Sequence, residues 1–197
     1  MGIIYTNKRI HWNLFLALER EFETVARYIE PCTQNNSTYS VELARLLMSA
    51  AQEVDVVLKA YCGFLDRNSN VSGIDSYYSC IAQHNPDFTN VEVEIAHYGM
   101  RSMPFYGWAR NRPPEWWTAN NKVKHHRSTH FDRATLKNTY NAIAALEISI
   151  IHLYQVELAE QGRDSDWSNV TDLLDPRPRL FLPKNGYYEE NISAGTF

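Results

Sequence analysis

The chain has 197 residues, 44% hydrophobic and 13% aromatic, with a formal net charge of −4. That is material for one packed domain, too apolar for a disordered or fibrous chain. The acidic balance excludes a general nucleic-acid coat protein, which would be basic overall, and leaves room for a local basic cleft.

The start, Met1-Gly2-Ile3-Ile4-Tyr5, lacks an apolar h-region and a small-residue cleavage site, so no signal peptide is expected. No uncharged apolar run approaches bilayer-spanning length, so no membrane association is expected. Cys32, Cys62 and Cys80 are odd in number and lack CxxC spacing. They read as free thiols in a reducing compartment, which makes the expected location cytoplasmic.

A first helix is predicted over residues 13–29, with Leu14, Leu18, Phe22, Val25 and Ile29 on one face and Glu19, Arg20, Glu23 and Arg27 covering the rest. Pro31 stops it. Ser40 can cap a second helix whose stripe is Leu43, Leu47, Ala50, Val54, Val57 and Tyr61. A second row, Ala44, Met48, Ala51 and Leu58, widens that stripe, so this helix is buried on much of its circumference. Residues 74–85 suit a shorter helix ended by Pro86.

Val91-Glu92-Val93-Glu94-Ile95 alternates like a half-buried strand. Residues 100–106 can return after Gly99 as a second strand, confined to an edge by Pro104. Glu115 begins a short helix carrying Trp116 and Trp117, both expected to anchor it in the core, with stacking on a base or a partner chain as the alternative. Asp132 is the expected cap of the longest helix, over 133–161, which Gly162 ends. Its main stripe is Leu136, Tyr140, Ile143, Leu146, Ile150 and Leu153. Leu180-Phe181-Leu182 can add a strand to the hairpin. The expected fold class is mainly α: an up-down bundle of four to five helices with a small β-hairpin appendage. Residues 1–162 form the bundle, the hairpin is inserted near 91–106, and 163–197 form an irregular C-terminal extension packing on the same domain.

The stretch with most chemistry is Asn120-Asn121-Lys122-Val123-Lys124-His125-His126-Arg127. In a helix, Asn121, Lys124 and His125 share one side and Lys122 projects elsewhere. The lysines and Arg127 can clamp a phosphate that the Asn120 and Asn121 amides orient, with His125 as acid or base and His126 beside it. The structural alternative is that these cations only offset the negative end of the helix. His126-x3-His130 has the spacing of a ligand pair. However, Ser128, Thr129 and the cap at Asp132 should turn the chain and part the rings, and no cysteine pair or HExxH glutamate accompanies them. No metal and no cofactor is expected. Glu53 and Glu147 lie in apolar helices and should either pair with the basic segment or, the favoured placement, line the solvent edge.

An amphipathic helix pair, a hairpin, then Trp116-Trp117-x-x-Asn120-Asn121-Lys122-Val123-Lys124-His125-x-Arg127 and a long Ala/Leu/Ile helix resembles the HEPN superfamily of prokaryotic helical domains. The likeness is to its bacterial branch with a WW…N-x-V-K-H-x-R signature, and it covers roughly residues 13–160. The resemblance implies a dimeric bundle. It also implies, in many members, metal-independent RNA cleavage in toxin–antitoxin or antiviral systems, by an Arg and a His of an Arg-x4-6-His motif across the dimer cleft. His125 matches the family histidine and Asn121 the polar residue after the arginine, while Asn120 occupies the arginine's position. No arginine in the chain has a histidine five to seven positions later. The expected function is therefore a non-catalytic binder of RNA, nucleotide or a protein partner such as an antitoxin-type nucleotidyltransferase, as a homodimer. An endoribonuclease using His125 is the first alternative, and a purely structural or interaction protein the second.

Overall fold

The computed structural model describes residues 9–184 and Tyr187. Among them are seven helices and three short strands: α1 Ile10–Ala26, α2 Val41–Leu65, α3 Ile74–His84, β1 Val93–Ile95, β2 Met100–Ser102, α4 Glu115–His125, α5 Arg127–His130, α6 Leu136–Glu160, α7 Trp167–Leu173 and β3 Phe181–Pro183. The fold is mainly α with a small β appendage, as the periodicities predict.

Helix α2 follows its expected stripe. Leu43, Leu47, Ala50, Val54, Val57 and Tyr61 are all buried, and the Ser40 hydroxyl accepts the Leu43 amide at 3.1 Å. Helix α1 is displaced from its expected span. It starts three residues earlier, and its buried face is Trp12, Phe15, Leu18, Phe22 and Ala26. Glu19, expected on the surface, lies on that buried face.

Ion pairing of His11 with Glu53 and of Glu21 with Arg45 runs α1 antiparallel to α2. The long return from α2 to α6 sets those two helices side by side in the same direction. Thr139 donates to the Leu43 carbonyl near their starts, and the Tyr61 and His152 rings meet near their ends. Helix α6 is the centre of the bundle, with every residue from 142 to 154 buried. It is long and apolar enough to cross a membrane by composition alone, yet its faces are covered by the rest of the chain.

The α6 cap differs from expectation. Residues 127–130 form α5, and Phe131–Arg133 forms a 3-10 turn. Helix α6 then begins at Leu136, where the Thr135 hydroxyl accepts the Asn138 amide at 3.2 Å. The Leu136 amide donates to the Thr38 carbonyl, so this start is tied to the loop before α2. Thr135→Ala should cost about 1 kcal/mol in urea unfolding, and Asp132→Ala should cost nothing measurable. Equal losses would return the cap to Asp132. At the other end Gly162, with φ +68°, closes α6 in the left-handed region that glycine enters without strain.

The strands form one antiparallel sheet in the order β2-β1-β3, pairing Val93 with Ser102 on one side and with Pro183 on the other. Pairing of β2 stops at Ser102, before Pro104, and Val93 and Ile95 point into the core. The segment expected to be irregular carries α7 and the third strand, and α7 packs on α6.

Candidate functional site

Helix α4 buries Trp116, Trp117, Ala119, Asn120 and Val123 against α2 and α6. Both tryptophans anchor it: Trp116 donates from its indole nitrogen to the Pro104 carbonyl at 2.8 Å and meets Trp117 edge-on. The opposite face exposes Asn121, Lys124 and His125 together, with Lys122 half-buried beside them. The expected clustering of that triad is therefore present, and Asn120 is outside it.

Asn120 is 5% exposed and faces the core. Its amide nitrogen donates to the Asn121 side-chain oxygen at 3.4 Å, and its own oxygen has no hydrogen-bond partner among the described residues. A neutral, buried side chain at this position cannot clamp phosphate. The spacing of Asn120 from Trp116 and Val123, four and three residues, is the signal that could have predicted this placement.

After the His126 amide closes α4 on the Lys122 carbonyl at 2.8 Å, the exposed Arg127 reaches back across α2 and donates to the Met48 sulfur at 3.1 Å. His126 and His130 are not parted as expected. Their rings stand edge to face with centroids 6.3 Å apart. Among the described residues no group of three or more His, Cys, Asp or Glu gathers into a metal-ligand set.

Lys122 and Lys124 have no carboxylate partner among the described residues, whereas Arg45, Arg101, Lys137 and Lys184 are each paired with glutamate. The two lysines and Arg127 thus make a cationic rim on an acidic protein. They also offset the negative end of α4, which lowers their net pull on an anion. His125 is exposed, and among the described residues its ring has no hydrogen-bond partner to orient it.

Neither apolar-helix acid pairs with this rim. Glu53 is half-buried and accepts from His11 Nδ1 at 2.5 Å. Glu147 is fully buried, and neither carboxyl oxygen has a hydrogen-bond partner among the described residues. Burial, then the neighbouring Glu19 carboxyl, pushes Glu147 well above the usual carboxylate range.

A second site has no counterpart among the sequence expectations. A cleft of about 610 Å³ opens between the ends of α2 and α6, the turn after α3, and α7. Its ring-bearing lining is Tyr61, His84, His152, Trp167 and Tyr187, with Asp87 the one carboxylate and no lysine or arginine among the described residues. The Asn85 amide nitrogen donates to the Tyr61 hydroxyl at 3.1 Å and to His152 Nδ1 at 3.3 Å. A neutral imidazole accepting at Nδ1 carries its proton on Nε2, which donates to the Tyr187 hydroxyl at 3.0 Å. Burial pushes His152 down to about 3, so it stays neutral. The residues come from positions 61, 85, 87, 152, 167 and 187, and no local motif links them; a histidine inside the apolar run Ile150-Ile151-His152-Leu153 is the only signal the sequence offers.

No family model, curated protein or solved structure matches the chain.

Proposed function

We propose that this chain is a HEPN-like helical module, cytoplasmic and dimeric, that holds RNA or a nucleotide by its phosphates on the α4 rim and does not cut it. The observation that carries the reading is Asn120, buried and neutral at the position of the motif arginine. Metal-independent cleavage needs a cation on the developing phosphorane and a base held in place for the 2′-hydroxyl proton. The first is missing at Asn120. For the second, His125 is solvent-exposed and unanchored. Binding requires less: Lys122, Lys124 and Arg127 supply charge, and Asn121 supplies an exposed amide. The cytoplasmic setting is supported by three free thiols. Cys62 is pushed up by burial beside Cys80, which makes it a poor thiolate.

The test is purified protein with single-stranded RNA in EDTA. Intact RNA that is retarded at low salt is expected. Lys122→Ala/Lys124→Ala should weaken retardation several-fold and flatten the slope of log affinity on log salt by roughly 0.7 for each phosphate that is no longer neutralised. RNA cleavage that disappears in His125→Ala would overturn the reading in favour of a ribonuclease, and so would unretarded RNA at the lowest salt in favour of a structural role. Light scattering at micromolar concentration checks the dimer.

A further inference from the structure

Two of the free cysteines meet where α3 packs on the end of α2. Cys62 is fully buried in the last turn of α2. Cys80, half-buried on α3, donates from its Sγ to the Cys62 carbonyl at 3.9 Å. A second hydrogen bond links the side chains, from the Cys62 thiol to the Cys80 sulfur. The two sulfurs therefore face each other from different helices, 18 residues apart in sequence. They are not equally accessible. Cys80 lines a cleft of about 420 Å³ between α3, the end of α2 and the loop that joins them, and Cys62 does not. A dissolved reagent reaches Cys80 first and Cys62 only through it. Their ionisation has the same order. Burial raises both thiols, and the hydrogen bond from Cys62 opposes that rise at Cys80 alone.

We infer that Cys62 and Cys80 are a reversible dithiol–disulfide pair, in which Cys80 takes up a small disulfide from the cleft and Cys62 resolves it, bracing α3 against α2. The Cys80 sulfur attacks one sulfur of the small disulfide, whose S–S bond breaks and whose first half leaves as a thiol with the Cys80 proton. The Cys62 sulfur then attacks the Cys80 sulfur, and the second half leaves as a thiol with the Cys62 proton. Two protein thiols lose two electrons in all, and one small disulfide gains them. Because neither thiol ionises readily, the exchange is slow, and the pair responds to sustained oxidation and not to a brief pulse. The new bond reinforces the existing tie of Tyr77 on α3 to Asp55 on α2, at 2.9 Å, and closes the loop between the helices. Met48, which Arg127 touches, lies about 20 Å earlier on α2 at 1.5 Å per residue. The pair is thus independent of RNA binding at α4, and either reading can fail alone.

The experiment incubates the reduced full chain with oxidised glutathione to equilibrium and maps its peptides by mass. A Cys62–Cys80 cross-link that dithiothreitol reverses is expected, with Cys32, at the other end of α2, carrying glutathione alone. Cys80→Ser, at a half-buried position, should remove the cross-link and leave Cys62 unmodified. Cys62→Ser, in protein whose circular dichroism is that of wild type, should hold glutathione on Cys80. In the oxidised wild-type chain the α3 amides should exchange about tenfold more slowly than in the reduced one. Glutathione that stays on Cys80 of the wild-type chain, a cross-link through Cys32, an unmodified pair, or α3 exchange that ignores oxidation would each overturn the inference.

Discussion

Replacing Glu147 with methionine is expected to stabilise the protein at pH 7 by about 2 kcal/mol, or roughly 4–8 °C in thermal midpoint for a chain of this size. Two costs disappear with the carboxyl group. One is the burial of a polar group in the middle of α6 with no hydrogen-bond partner among the described residues on either oxygen. The other is the neutral-pH cost of protonating an acid whose folded range is raised by burial and by Glu19. Methionine has a similar length and adapts to the space. The sign of the pH dependence follows from the direction of the shift. The acid's contribution to folding is fully present below the ordinary value of 4.5 and is lost as pH rises through the raised folded value. The gain from Glu147→Met should therefore be smallest near pH 4 and grow as pH rises above the ordinary carboxylate range. Urea midpoints at several pH values measure this. A variant less stable than wild type at pH 7 would mean that the carboxyl has a stabilising role.

His152 acts in the opposite sense. Its imidazole is held neutral down to about pH 3 by burial, so its contribution is fully present above the ordinary 6.5 and is lost as pH falls. Above 4.5 the two buried groups pull in opposite directions, and the His152 slope is about 1.4 kcal/mol per unit below 6.5. Removing Glu147 leaves the His152 slope unopposed and should make the protein acid-sensitive in that window.

Local regularities are legible in the sequence and long-range ones are not. The α2 stripe, the third strand at Phe181 and the stop at Gly162 follow from spacing and backbone preference alone. The cap of α6 is ambiguous in sequence because Asp132 and Thr135 are both competent residues; the tie of Leu136 to Thr38, from a loop nearly a hundred residues earlier, selects Thr135. The α1 face is misplaced by periodicity for a similar reason. Its aromatic residues Trp12 and Phe15 meet Phe181 and the loop before β3, which the α1 sequence alone cannot reveal. At the α4 rim the exposed triad is legible from helical spacing. The burial of Asn120 is legible in principle, yet the family motif weighs the identity of that residue and not its face. The cleft is not legible, since each of its rings reads as an ordinary core aromatic until the fold brings them together.

Glu19→Ala should destabilise the protein by about 3 kcal/mol or more, roughly 6–12 °C, because one carboxyl oxygen of α1 accepts three consecutive amides of the returning chain. Arg179, Leu180 and Phe181 donate to it at 2.9, 2.8 and 3.2 Å. Leu180 and Phe181 are buried, so no water replaces the lost acceptor. Burial raises the Glu19 carboxyl range while those three bonds lower it, and burial is the larger effect. The charge is therefore a cost that the position tolerates in return for an acceptor. Glu19→Gln keeps an acceptor oxygen and drops the charge, so it should cost under about 1 kcal/mol. Hydrogen exchange adds a local readout: in Glu19→Ala the Leu180 and Phe181 amides should exchange much faster, while the β1 amides paired with β2 hold. With Glu19 gone, β3 keeps its ladder to β1 and loses its fixture to the bundle. Equal losses in the alanine and glutamine variants would show that the negative charge, and not the acceptor, fastens the strand.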